Sequence, residues 1–111
     1  MAYPKRVRMD ELRRLAFGGI TANYAAVGAA LTDPCRIFIL SNLSDDNIIF
    51  SLDGVTDHFF VPVGGFKLID CTANKVREEG FFVSEGTVFY ARCEAGAVPT
   101  AGLVTVEILH G

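Results

Sequence analysis

The stretch CRIFILSNLSDDNIIFSLDG, residues 35–54, decides the kind of fold this chain adopts. Two short apolar runs, Cys35 to Ser41 and Ile48 to Asp53, flank a polar hexamer from Asn42 to Asn47, and Asp53-Gly54 closes the second run. Within that run Ile48, Phe50 and Leu52 alternate with Ser51 and Asp53, the period of two that sends successive side chains to opposite faces of a strand. Isoleucine and phenylalanine dominate both runs, so 35–54 reads as two strands joined by a polar turn.

Toward the carboxyl end the same alternation returns every eight to twelve residues. His58 to Val63 leads into a Gly64-Gly65 corner, after which Phe66, Leu68 and Asp70 alternate with Lys67, Ile69 and Cys71. Thr72 to Glu79 is a polar loop or a short turn of helix. Gly80 to Ser84, Thr87 to Cys93 and Leu103 to Leu109 follow as strands, separated by Glu85-Gly86 and by a Gly/Pro/Ala loop at Ala95 to Gly102. In the last of them Val104, Val106 and Ile108 share one face. Seven strands result, eight with a weak one between Ile20 and Leu31, and nothing carries the long helical period of a βαβ crossover. The fold expected is all-β, an antiparallel jelly-roll-like β-sandwich over residues 32–111, with a small barrel as the alternative.

Residues 1–31 are of a different character: an arm, a short helix and a connector. Residues 1–9 contain Pro4 and no periodicity, as an extended arm would. From Asp10 a helix of about two turns is expected, with Asp10 as cap, Leu12, Leu15 and Ala16 on one face, and Gly18-Gly19 as its end. Five of the ten basic side chains, Lys5, Arg6, Arg8, Arg13 and Arg14, fall in residues 1–14 beside Asp10 and Glu11. That segment carries +3 of a net −3, which leaves −6 on the rest, so a basic arm is joined to an acidic body. Such an arm suits attachment to a surface of opposite sign better than it suits a role in the core.

Composition narrows the classes further. The chain has 111 residues, half of them apolar, with nine Phe and no Trp, the make-up of one packed domain. No apolar run approaches the ~20 residues of a membrane helix and no secretory signal pattern opens the chain, so a soluble protein made in the cytoplasm is expected. Cys35, Cys71 and Cys93 are odd in number and widely spaced, which fits buried free thiols better than a disulfide framework or a Cys-x-x-Cys site.

The residues that carry chemistry are sparse. His58 and His110 are the only histidines and stand far apart, too few for the clustered histidines of a metal-binding cupin. No Ser or Cys lies in a Gly-x-Ser-x-Gly elbow, and the carboxylate pairs Asp45-Asp46 and Glu78-Glu79 lie in polar loops where both groups are solvated. Gly64-Gly65 lacks the Gly-Lys-Ser/Thr ending of a phosphate loop. An acidic body argues against nucleic acid as the arm's partner. No enzyme activity, metal or cofactor is expected. The aromatic side chains read mainly as core, although Phe59-Phe60 and Phe81-Phe82 must each send one ring away from it.

Three stretches, Ile49-Phe50-Ser51-Leu52-Asp53-Gly54, Phe60-Val61-Pro62-Val63-Gly64-Gly65-Phe66 through Asp70, and Gly86-Thr87-Val88-Phe89-Tyr90, resemble small virion proteins of tailed bacteriophages. With the basic arm ahead of the strands, the chain is most similar to the cement or staple proteins of short-tailed phages, over roughly residues 8–111. The resemblance implies a jelly-roll-like domain, often dimeric, on the capsid exterior, where an extended terminus binds the major capsid protein or a sister subunit. Carried onto this chain, Lys5, Arg6, Arg8, Arg13 and Arg14 would make those contacts, with Leu12 and Leu15 anchoring the short helix. A low-copy tail or neck adaptor, or a fibre-attachment protein, would use the same sandwich. A carbohydrate-binding module is the reading from another class, opposed by the absence of Trp and by tyrosines scattered along the chain.

Overall fold

The computed structural model describes residues 8–70, 83–94 and 98–110. Among the described residues nine strands follow in order: β1 Arg8–Met9, β2 Arg13–Ala16, β3 Ala25–Ala26, β4 Cys35–Asn42, β5 Ile48–Ser51, β6 Phe59–Val61, β7 Phe66–Asp70, β8 Tyr90–Cys93 and β9 Leu103–His110. All pairings are antiparallel. One sheet runs β1-β9-β4-β7 with β2 also on β9, and the other runs β3-β8-β5-β6.

β1 and β2 occupy the same edge of β9. Arg8 and Met9 oppose His110 and Leu109, whereas Arg13 to Ala16 oppose Val106 to Leu103. Residues 10–12 therefore face only 107 and 108, which makes the pair one strand interrupted by a one-residue bulge. Counted so, eight strands in chain order lie 1-8-3-6 in one sheet and 2-7-4-5 in the other.

Between the sheets lie Ile48 and Phe50 of β5 and Val104, Val106 and Ile108 of β9, which the alternation singled out, together with Phe38 and Leu40 of β4 and Phe89. Phe38 packs edge-to-face on Phe59 and Phe89, with ring centres 5.8 and 5.1 Å away. Phe59 and Phe60 do point to opposite faces, the first against the core and the second outward. Cys35 and Cys93 are both buried, and burial pushes the Cys93 thiol up.

Four expectations are corrected. The short helix from Asp10 is not formed: Arg13–Ala16 is a strand, followed by a single 3₁₀ turn at Phe17–Gly19. A two-turn helix would gain few hydrogen bonds for its nucleation cost, whereas the open edge of β9 offers a full ladder. Asp10 does not cap; its carboxylate accepts from the Glu11 amide at 2.8 Å and meets Arg13 and His110. Asn42, read as turn, ends β4 inside the core. Phe66, read as core, is two-thirds exposed, because the register with β4 turns Lys67 and Ile69 inward. The expected strand at Gly80 to Ser84 is described only from Val83, which bridges to Cys35. Cys71, the loop at Thr72 to Glu79, and Phe81-Phe82 lie outside the described residues.

Candidate functional site

Of the residues expected to bind a partner, Arg8, Leu12, Arg13, Arg14 and Leu15 fall on or beside the edge strand formed by β1 and β2. Lys5 and Arg6 lie outside the described residues, and Arg8 is described by its backbone, opposite His110. Arg13, Arg14 and Leu15 oppose Val106, Thr105 and Val104, so alternate side chains part to the two sides of the sheet. Leu15 packs on the core, Arg14 and Leu12 are exposed, and Arg13 turns inward.

Arg13 is only 8% exposed and is bonded at every guanidinium nitrogen. Nε donates to the Ala29 carbonyl at 3.0 Å and Nη2 to that of Ala30 at 3.4 Å. Nη1 donates to Asp10 at 3.0 Å and to the Glu11 carbonyl at 3.1 Å. Asp10 also lies 3.0 Å from His110 Nε2, whose other ring nitrogen is 3.3 Å from the Pro34 carbonyl. Burial raises the Asp10 carboxyl, but the Glu11 amide, Arg13 and His110 outweigh it, and the net shift is downward. The cluster ties the edge strand to the segment at 28–34 and to the end of β9. A cleft of about 250 Å³, lined by Glu11, Leu12, Arg13, Arg14, Gly28 and Ala29, lies beside it.

Arg14 belongs to a different surface, the outward face of the β1-β9-β4-β7 sheet. Cross-strand partners share a face, so the registers arrange that face in rows. Arg14, Thr105, Ser41 and Phe66 make one row; Glu107, Ile39 and Leu68 the next; Met9, Leu109, Ile37 and Asp70 the third. Phe66, Leu68 and Met9 are 67%, 55% and 63% exposed, and Ile37, Ile39 and Leu109 are half-buried between them. An apolar band thus crosses the sheet from Phe66 to Met9. The alternation in residues 66–70 was legible in the sequence. Its outward side was not, since a Lys between two apolar residues normally signals the reverse.

The outward face of the other sheet carries a polar tie. Arg92 donates to both oxygens of Asp57, Nε at 3.2 Å and Nη2 at 2.8 Å, and the Tyr24 hydroxyl donates to the same carboxylate. The guanidinium lies 5.4 Å from the centre of the Tyr24 ring. Arg92 and Tyr24 hold the Asp57 carboxyl below its usual range, and Asp57 in turn raises Arg92. Tyr90 stands on this face as well. Asp57 is spent on its neighbours.

Among the described residues no group of His, Cys, Asp and Glu is placed to hold a metal ion, and no helix is long and apolar enough to cross a membrane. No buried side-chain nitrogen or oxygen among them lacks a partner. No protein-family model matches the chain, and no solved structure matches it significantly.

Proposed function

We propose that this is a structural virion protein that binds the outside of a bacteriophage capsid and staples neighbouring shell subunits, acting by docking rather than catalysis. One observation carries the reading: the polar clusters are consumed by internal bonds, while large apolar side chains stand outward in a band on one sheet. A surface of that kind is stable when other protein covers it. The strand orders 1-8-3-6 and 2-7-4-5 support a jelly-roll connectivity, in which four antiparallel hairpins wrap the chain between two sheets. Both agree with the resemblance carried by Ile49 to Gly54, Phe60 to Asp70 and Gly86 to Tyr90.

In this reading Lys5, Arg6, Arg8 and Arg14, with Leu12, meet the major capsid protein, while Arg13 and Leu15 fix the strand from which the basic segment departs. Many weak contacts on a repeating shell reinforce one another, so no single one need be strong. The test is copy number. Purified particles should contain this chain near parity with the main shell protein. A dozen copies or fewer would assign it to the tail or neck, and its absence from particles would end the virion reading.

A further inference from the structure

The ladder between β2 and β9 fixes which way each backbone group of the edge strand points. Phe17 donates its amide to the Gly102 carbonyl at 2.9 Å, which extends the register by one pair and makes that pair a bonded one. Bonded and non-bonded pairs alternate in an antiparallel ladder, so Leu15 with Val104 and Arg13 with Val106 are bonded, whereas Ala16 with Leu103 and Arg14 with Thr105 are not. The far side of β9 agrees. There the Leu43 amide donates to the Leu103 carbonyl at 2.8 Å, so the backbone of Leu103 is turned toward β4. The amide and carbonyl of Arg14 and of Ala16 therefore point away from the sheet, and among the described residues no backbone bond of a turn or loop reaches them.

Among the described residues the other three edges are guarded. β3 is two residues long, β6 runs into Pro62, which has no amide to donate, and at β7 Lys67 turns its charge to the inner side of the edge. Beside residues 12–16 there is also room. The cleft of about 250 Å³ lies between Leu12 to Arg14 and Gly28-Ala29, and its lining by Arg13, Gly28 and Ala29 puts it where the inward side chains of one more strand would go. Arg13 itself turns inward, but Asp10 and the Ala29 and Ala30 carbonyls absorb its charge.

We infer that residues 12–16 receive an extended acidic segment of a different protein, added antiparallel as a further strand. The main chain of that segment bonds to Arg14 and Ala16, and its alternate side chains divide between the cleft and the outward face. A residue opposite Arg14 shares the outward face with the guanidinium, so a carboxylate belongs there. Its neighbour in the segment points inward, where a cleft walled by the small residues Gly28 and Ala29 takes a medium apolar side chain. Five basic side chains within residues 1–14 set the same sign for the whole approach. The bulge at residues 10–12 breaks the ladder and keeps the docked strand short, so binding is reversible. The inference goes beyond the virion reading, because it states the form in which a partner arrives and not which assembly the partner belongs to.

Nuclear magnetic resonance titration of the full chain with a blocked seven-residue peptide of alternating glutamate and valine tests this. Shifts are expected at the amides of residues 12–16 and 28–30, with slower hydrogen exchange at Arg14 and Ala16. Lysine in place of the glutamates should weaken binding about tenfold, and N-methylation of alternate peptide amides should abolish it. Ala16→Pro removes one edge donor where φ is already −70°, so circular dichroism should stay unchanged while binding falls about fivefold. Ala29→Leu, which fills the cleft from an exposed position, is the second variant should the first misfold. A peptide that shifts no amide in 12–16, binds equally well with lysine, or ignores N-methylation would overturn the proposal. Binding unchanged by Ala16→Pro and Ala29→Leu would overturn it too. Particles separate this inference from the virion reading: peptide bound at the edge of a chain that is absent from particles overturns that reading alone, whereas a chain present in particles that binds no peptide overturns this one alone.

Discussion

Asn42 shows what a single residue can do that its neighbours in sequence do not announce. It sits in Asn-Leu-Ser-Asp-Asp, a string that reads as turn, yet it is fully buried with every polar atom used. Nδ2 donates to the Asp46 carbonyl at 2.7 Å and to the Val61 carbonyl at 2.9 Å, and Oδ1 accepts from the Ser44 amide at 3.0 Å and hydroxyl at 2.6 Å. The bond to Val61 joins the two sheets across 19 positions of chain, which is why no local pattern reveals it. Asn42→Ala should cost ~2–4 kcal/mol by urea denaturation, since it strands buried partners. Asn42→Asp tests the cause: its shape is kept, but an oxygen replaces the amide donor facing two carbonyls, so a similar loss is expected. A harmless Asp would show that the site is wetter than its burial implies. Arg13 has the same character. Its charge was legible in the sequence and its inward direction was not, because that depends on the register with β9.

Among the elements, the edge strand at residues 8–16 is where sequence and structure part most clearly. Leu12, Leu15 and Ala16 satisfy a helical spacing, but Arg13 and Leu15 satisfy a strand spacing equally, and the open flank of β9 decides between them. The central strands were legible because both sides of their alternation are forced: one face must be apolar to build the core. Gly28 takes part in holding the edge strand. Its φ is +79°, and a Cβ there would lie 2.5 Å from Arg13 Cγ and 2.9 Å from Arg13 Cβ. Gly28→Ala should therefore cost about 2–4 kcal/mol, combining backbone strain with displacement of Arg13. Hydrogen exchange should report faster opening at 13–16 and 103–106 than in β5 and β8. Uniform loosening would mean that Gly28 acts on the whole fold. Deletion makes the same point: removing residues 1–18 should lower the melting temperature by taking a strand from the sheet.

At the scale of the molecule, four aspartates share one electrostatic habit. Asp10, Asp45, Asp53 and Asp57 are all held below their ordinary carboxyl range. Hydrogen bonds from the Thr56 and Val55 amides do most of this for Asp53, the Thr100 hydroxyl for Asp45, and Arg92 for Asp57. A carboxyl whose folded value is depressed contributes stability that is present above its unfolded value, near 3.9, and lost as pH falls through the folded one. The melting temperature should fall steadily as the pH drops below about 5. A melting temperature at pH 2.5 equal to that at pH 7 would show that these bonds are not made in solution. None of the four was legible as a partnered group, since each bond depends on a turn or a neighbouring strand closing around it.

The pairing of Arg8 with His110 brings the first and last described strands side by side at one corner of the sheet. Linear order along the gene is then only one of several ways to write this molecule. A chain that joined position 110 to position 8 through a few glycines, and began anew at the Gly64-Gly65 corner, would present every strand to the same neighbours. Peptides fused at residues 8 and 110 would emerge next to each other, so a cargo and a reporter placed there would sit close enough for energy transfer.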